Sequence, residues 1–111
     1  MANDLQSLMK QAKEMQQKMQ DAQSRIASIR IIGQAGGGLV KAYMNGLHQC
    51  QRVEIAHKLL QEDDHDMLED LVAAAINNAS EQIEGAAKEE MSGIAKSMSL
   101  PTDLMGGEDE S

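Results

Sequence analysis

"GQAGGGLVKAYMNG", residues 33–46, crowds three consecutive glycines against a short apolar run and closes on Asn-Gly. Two uses of such glycines compete, a phosphate cradle and a chain reversal. A Walker-type cradle needs G-x-x-x-x-G-K-[ST] opening a helix, and a dinucleotide fingerprint needs G-x-G-x-x-G between a strand and a helix. Here the glycines run into "LVKAYM", residues 39–44, which alternates in the manner of a strand. The cluster therefore reads as the connection between two strands. Asn45-Gly46 is a type I′ hairpin signal, and it leads into a second alternating run, "LHQCQRVEI", residues 47–55. A two-residue turn there sets Met44 against Leu47, Ala42 against Gln49 and Val40 against Gln51. The opposite side then pairs Tyr43 with His48, Lys41 with Cys50 and Leu39 with Arg52.

Upstream, apolar residues recur at Leu5, Leu8, Ala12, Met15, Met19, Ala22, Ile26 and Ile29, spaced alternately by three and four. That is the a/d stripe of a helix, with Asn3 or Asp4 able to cap its start. The β-branched run "IRII", residues 29–32, reads as the first strand, so the switch falls near Ala27. Gly33 is expected to break that strand. Downstream, Asp63 or Asp64 can cap a second long helix, whose apolar positions run from Met67 through Ile94. Gly85 and Gly93 weaken its distal half, and Pro101 marks its end. The order is α–β–β–β–α.

These lengths do not match one another. Strands of about six residues span roughly 20 Å, whereas a first helix of some 24 residues reaches roughly 36 Å and the second roughly 45–50 Å. The stripe on the first helix continues over its whole length. A second copy of the chain is the simplest supplier of the missing apolar surface, which predicts a symmetric dimer with projecting helical arms.

With 111 residues and Tyr43 as the single aromatic residue, the chain holds one domain at most, packed by aliphatic side chains and nine methionines. One cysteine, Cys50, rules out an intrachain disulfide framework and fits a reducing compartment. No apolar run approaches the roughly 20 residues that span a bilayer, and no basic, then apolar, leader opens the chain. A cytoplasmic protein without a membrane partner is expected. The net charge of −8 hides a segregation: residues 1–58 carry eight basic and four acidic residues, residues 59–111 two and fourteen. The halves differ by sixteen charges, +4 against −12, and present different surfaces to a partner.

Candidate chemistry is sparse. His48 and Cys50 share a side of the expected strand, but a metal site needs further ligands, and exposed strand residues account for them better. "EDDHD", residues 62–66, lacks the central glycine of a calcium loop and suits helix capping. No nucleophile, paired acid and base, or cofactor cradle is present, so neither an enzyme, a cofactor nor a small-molecule substrate is expected. Lys10, Lys13, Lys18 and Arg25 lie between the a/d positions of the first helix; they form either a solvated face or a phosphate-contacting one.

Several literal strings sharpen the choice. "LMKQAKEMQQKMQ" (8–20), "GLVKAYMNG" (38–46), "RVEI" (52–55), "LLQEDDHDMLEDLVAAAINNA" (59–79) and "SLP" (99–101) together resemble the bacterial YbaB/EbfC nucleoid-associated family. The resemblance spans about residues 5–101. It implies an α+β fold, α-β-β-β-α, with a three-stranded antiparallel meander and two long protruding helices in a tweezers-like homodimer. It implies a DNA-binding and dimerisation domain over residues 1–98, a disordered acidic tail over 99–111, and a place in the nucleoid. The implied activity is binding of double-stranded DNA with weak sequence preference, without catalysis, in nucleoid organisation or gene regulation. Close members of the family tend to carry basic residues beside Arg52 and in the middle of the second helix. This chain has Gln51 and Glu81-Gln82 there, and Ala56-His57-Lys58 where "D-P-S" is expected. DNA contact is thereby shifted onto Lys10, Lys13, Lys18 and Arg25, with Arg30, Lys41 and Arg52 beside them. The alternative is a protein–protein interaction module whose Met-rich arms grip an apolar partner without direct DNA contact.

Overall fold

The β-branched run after Ala27 ends one element and begins the next. In the computed structural model, which describes residues 2–97, α1 covers Ala2–Ala27 and β1 covers Arg30–Ala35. β2 (Val40–Asn45) and β3 (Cys50–Ile55) follow, then a single-turn helix α2 (His57–Leu60) and the long α3 (His65–Ser97). The strands form one antiparallel sheet in the order β1-β2-β3. The α–β–β–β–α order is that read from the sequence, with α2 as an addition. The expected stop at Pro101 and the acidic tail lie outside the described residues. The described residues fall into two units, residues 26–87 and the two helical stretches 2–25 and 88–97.

Within residues 26–87, the glycine cluster is the β1–β2 turn. Gly36, Gly37 and Gly38 all take positive φ, at 64°, 69° and 93°, where an L side chain is strained. Gly38 donates its N–H to the Ala35 carbonyl at 3.2 Å, closing the reversal that sets Ala35 opposite Val40.

Alternation along the strands puts Ile31, Gly33 and Ala35 of β1 on the same side as Val40, Ala42 and Met44 of β2. Val40, Ala42 and Met44 are buried, and α3 covers them with Ala75, Ala79 and Ile83, spaced by four along one helical face. Leu59 of α2 closes the same core beside Val40. Gly33 does not interrupt β1. It is buried within it, and a Cβ there would overlap the Ala75 carbonyl oxygen and the Ala79 amide. The missing side chain lets α3 lie directly on the strand, and the alanines on α3 reciprocate.

The β2–β3 connection differs from the expected two-residue hairpin. Val40 pairs with Ile55, Ala42 with Val53, Tyr43 with Arg52 and Met44 with Cys50, with an irregularity between Tyr43 and Met44. The loop is therefore longer, and each of the expected pairs is displaced. Neither Asn45 nor Gly46 adopts positive φ; His48 does, at 62°. The Asn45 Oδ1 accepts the N–H groups of Leu47 (2.9 Å) and Gln49 (3.1 Å), so the side chain organises the loop that Asn-Gly was expected to make by backbone alone. Gly46 serves a different end. Its N–H donates to the Ile29 carbonyl at 3.2 Å, and a Cβ there would collide with the Ile26 carbonyl at the end of α1.

Asp64 rather than Asp63 caps α3, its Oδ1 accepting the Met67 N–H at 2.9 Å, a contact worth about 1 kcal/mol. In the helical unit, Ala22 of α1 and Ile94 and Ala95 of α3 are buried. Leu5 and Leu8, which begin the apolar stripe of α1, and the neighbouring Met9 stay 60, 62 and 57% exposed.

Candidate nucleic-acid interface

Helical geometry sorts the basic residues of α1. At 3.6 residues per turn, Lys10 and Lys13 point away from the apolar stripe, while Lys18 and Arg25 lie along its border. Lys10, Lys13 and Lys18 are exposed, and none forms a hydrogen bond or ion pair with another described residue. Their ammonium groups keep their full donor capacity. Glu14 stands four residues from both Lys10 and Lys18, so the face is basic but not uniformly so. Over its length α1 carries four basic and three acidic residues, whereas α3 carries two and seven.

Arg25 is occupied. Its Nη2 and Nε reach the same Oε1 of Glu90, at 2.8 and 2.9 Å. The hydrogen bond to Glu90 raises the guanidinium pKa, partial burial opposes the rise, and the charges of Glu90 and Asp21 add to it. An external phosphate competes with Glu90 for the Nε–Nη2 edge of Arg25.

The remaining candidates converge where the sequence did not group them. Strand alternation places Arg30, Lys41 and Arg52 on the side of the sheet opposite the core, with Ile32, Gln34, Tyr43 and Glu54. Ile32, Tyr43 and Arg52 form one row across the three strands, and Gln34, Lys41 and Glu54 the next. No described helix residue belongs to the packed clusters on this side, and Ile32 is 45% exposed in it.

Tyr43, Arg52 and Glu54 form a closed network there. The Tyr43 hydroxyl donates to Glu54 Oε1 at 3.0 Å, Arg52 Nη2 meets Glu54 Oε2 at 2.7 Å, and the Arg52 guanidinium lies 5.2 Å from the Tyr43 ring centroid. The bond to Glu54, helped by burial, pushes the Tyr43 pKa upward. Arg30 turns back on its own strand entry, its Nη1 donating to the carbonyls of Ser28 (3.3 Å) and Ile29 (3.2 Å). The network was hidden by the displaced hairpin register, which set Tyr43 against His48. The cue for it was the Arg-x-Glu spacing at residues 52 and 54, which any register keeps on one side of β3.

His48 and Cys50 do not share a strand face. His48 lies in the loop, and the exposed Cys50 begins β3. No helix among the described residues is long and apolar enough to cross a membrane.

The exposed lysines of α1 and the basic side chains on the open sheet face can each meet a polyanion. Residues 1–98 match the YbaB/EbfC DNA-binding family. The chain belongs to that family. A nucleoid-associated protein from Legionella pneumophila (strain Corby) is 46% identical over 106 residues, covering 96% of this chain and 94% of that protein. The crystal structure of an uncharacterized protein from Helicobacter pylori is similar in fold, with a TM-score of 0.57 at 21% identity, over 78% of this chain and 96% of that one. The YbaB/EbfC family is defined by DNA binding and is not an enzyme family.

Proposed function

We propose that the protein is a homodimeric, nucleoid-associated protein of the bacterial cytoplasm that binds duplex DNA with weak sequence preference. Lys10, Lys13, Lys18 and Arg25 on α1 supply the main phosphate contacts, and Arg30, Lys41 and Arg52 on the open sheet face supply further ones. Residues 1–98 form the binding and dimerisation domain. The observation that carries this reading is that Lys10, Lys13 and Lys18 are exposed and form no ion pair among the described residues: such an ammonium can replace a condensed counterion on DNA. Weak sequence preference follows from the residue types, since lysine on a phosphate is a point contact that reads no base edge.

Counterion release makes the test quantitative. Each phosphate neutralised contributes about −0.9 to the slope of log affinity against log salt. The combined Lys10→Gln, Lys13→Gln and Lys18→Gln variant, titrated against unrelated duplexes at two salt concentrations, should lose about tenfold or more in low-salt affinity and flatten that slope. An unchanged slope removes these lysines from the interface. Sedimentation tests the dimer, which a stable monomer at micromolar concentration contradicts.

The exposure of Leu5, Leu8 and Met9 favours a second reading, in which the apolar stripe of α1 grips a protein partner. Undetectable binding of the parent to DNA at low salt selects that reading.

A further inference from the structure

The two edges of the sheet are finished differently. β1 and β3 each pair with β2 on one side only, so each turns a row of backbone N–H and C=O groups outward. On β1 that row is met by α3. The Gln34 N–H donates to Asn78 Oδ1 at 3.1 Å, the Ile32 carbonyl accepts from Gln82 Nε2 at 3.4 Å, and the same Nε2 donates to Asn78 Oδ1 at 2.9 Å. No such cover reaches β3. The Ala56 N–H donates to the Leu39 carbonyl at 2.8 Å, which extends the β2–β3 ladder by one pair. Antiparallel alternation then turns the backbone of Arg52 and Glu54 toward β2 and that of Val53 and Ile55 outward. The outward groups of Val53 and Ile55 meet no hydrogen-bond partner among the described residues.

Val53 lacks cover as well. Its side chain falls on the core side, beside Ala42, yet it is 36% exposed and belongs to neither packed cluster. A strand added beside β3 supplies the missing backbone partners and an apolar neighbour for this side chain. Charge selects the strand. Arg52 and Glu54 stand two residues apart on the open face, so a twofold axis at Val53 sets Arg52 of each copy opposite Glu54 of the other. These are non-hydrogen-bonded positions of the new pair, where side chains approach most closely. An axis at Arg52 or at Glu54 sets like charges face to face, and one at Gln51 or Ile55 gives neither residue an opposite charge. The edge is thus self-complementary in one register, which fits a second copy of this chain better than an unrelated strand.

We propose that β3 is the seam between two copies, paired antiparallel about a twofold axis at Val53 into one continuous sheet with three strands from each. This rests on the homodimer reading above and names its interface. The two Val53 residues exchange backbone hydrogen bonds with their Cα atoms about 5.5 Å apart, and Arg52 and Glu54 of both copies form a cluster of alternating charge. Gln51, left over where Tyr43 pairs with Arg52 and Met44 with Cys50, bulges and ends the seam. Directly opposed residues share a side of a sheet, so the open faces of the two copies run together and carry both sets of Arg30, Lys41 and Arg52 on one surface.

Sedimentation of the full chain reads the seam through two charge reversals. Arg52→Glu brings two carboxylates from each copy to the seam, and Glu54→Arg two guanidinium groups, so each variant alone should dissociate at least tenfold more readily than the parent. Mixed in equal amounts, the two should form a heterodimer at the parent's affinity, because every carboxylate of one copy then opposes a guanidinium of the other. Rescue in trans is not repair of a fold, since each chain keeps its own repelling pair. Persistent dimers in both single variants, or no recovery on mixing, overturn the seam and leave the homodimer standing. A parent that is a monomer at micromolar concentration removes the homodimer and the seam together. A second probe holds even if a reversal unfolds the chain: combined with Cys50→Ser, Val53→Cys should form an intermolecular disulfide under mild oxidation. In the parent, Cys50 lies three residues from the axis and roughly 20 Å from its twin, so it should not link. No link through Val53→Cys, or equally fast linking through Cys50 in the parent, overturns this pairing.

Discussion

The unit built from residues 26–87 and the helical unit of residues 2–25 and 88–97 use their apolar residues in opposite ways. In the first, backbone meets backbone: Gly33 admits α3 to β1, Gly46 admits the loop to the end of α1, and Val40, Ala42 and Ile83 have no exposure at all. In the second, burial among the described residues is confined to Ala22, Ile94 and Ala95, while Leu5, Leu8 and Met9 remain open. A scaffold that fixes its geometry at single atoms and an arm that leaves an apolar stripe uncovered answer to different demands. The scaffold buries its apolar residues within its own chain; the helical unit leaves part of its own exposed.

The largest expected effect tests whether the scaffold is as unforgiving as its contacts imply. Gly33→Ala and Gly46→Ala each drive a Cβ into backbone atoms, which cannot rotate aside as a side chain does. Each substitution should cost about 3 kcal/mol or more, read from denaturant unfolding with the slope unchanged. A loss under about 1 kcal/mol in either variant would mean that the strand and helix can part cheaply, and the contrast between the units would weaken.

A matched pair of truncations comes next. Ile83→Ala empties a fully buried site and should cost about 2–5 kcal/mol. Leu8→Ala removes a side chain that is largely exposed in the single chain, so a monomer should lose no more than about 0.5 kcal/mol. If a second copy covers the stripe, the Leu8→Ala cost rises and becomes dependent on protein concentration. Thermal unfolding at two concentrations therefore reads the occupancy of the arm directly.

How much of this was legible in the sequence follows the same division. The heptad stripe, the change of element at Ala27, the glycine turn and the Asp64 cap are local, written in residues a few positions apart, and the structure agrees with each. The functions of Gly33 and Gly46 are not local. One depends on Ala75 and Ala79, more than forty residues away, and the other on a helix end that the loop crosses. Asn-Gly favours a two-residue turn when both residues are free to turn left-handed, and here Gly46 is held by its approach to Ile26 and Ile29. The register moved accordingly, and with it the grouping of the basic residues. Lys10, Lys13 and Lys18 were legible as positions outside the apolar stripe because helical spacing alone places them there. The convergence of Arg30, Lys41 and Arg52 needed the observed strand pairing.

Glycine itself offers a smaller test with the opposite sign. Gly85 and Gly93 sit inside α3, and a Cβ at either would meet nothing within 4 Å. Without a close approach to protect, each costs α3 about 1 kcal/mol relative to alanine. Gly85→Ala and Gly93→Ala should therefore stabilise the protein by up to that amount, where Gly33→Ala and Gly46→Ala destabilise it. A destabilising result at Gly93 would show that the distal turns of α3 meet a surface outside the single chain.

The smallest effect concerns the open sheet face, where Tyr43 donates its hydroxyl proton to Glu54. That bond exists only while the phenol is protonated, and it raises the folded-state pKa above the unfolded value of about 10. A group whose pKa is raised by folding stabilises the fold in full below its unfolded pKa and loses that contribution as pH climbs through the folded one. Stability should therefore decline in alkaline solution above about pH 10 more steeply in the parent than in Tyr43→Phe, which has no proton to lose there. Because the network is solvent-exposed, the difference should be modest, and it should shrink further in Glu54→Gln, where the carboxylate that holds the proton is gone. Equal alkaline slopes in all three proteins would show that the Tyr43 bond to Glu54 does not persist in solution.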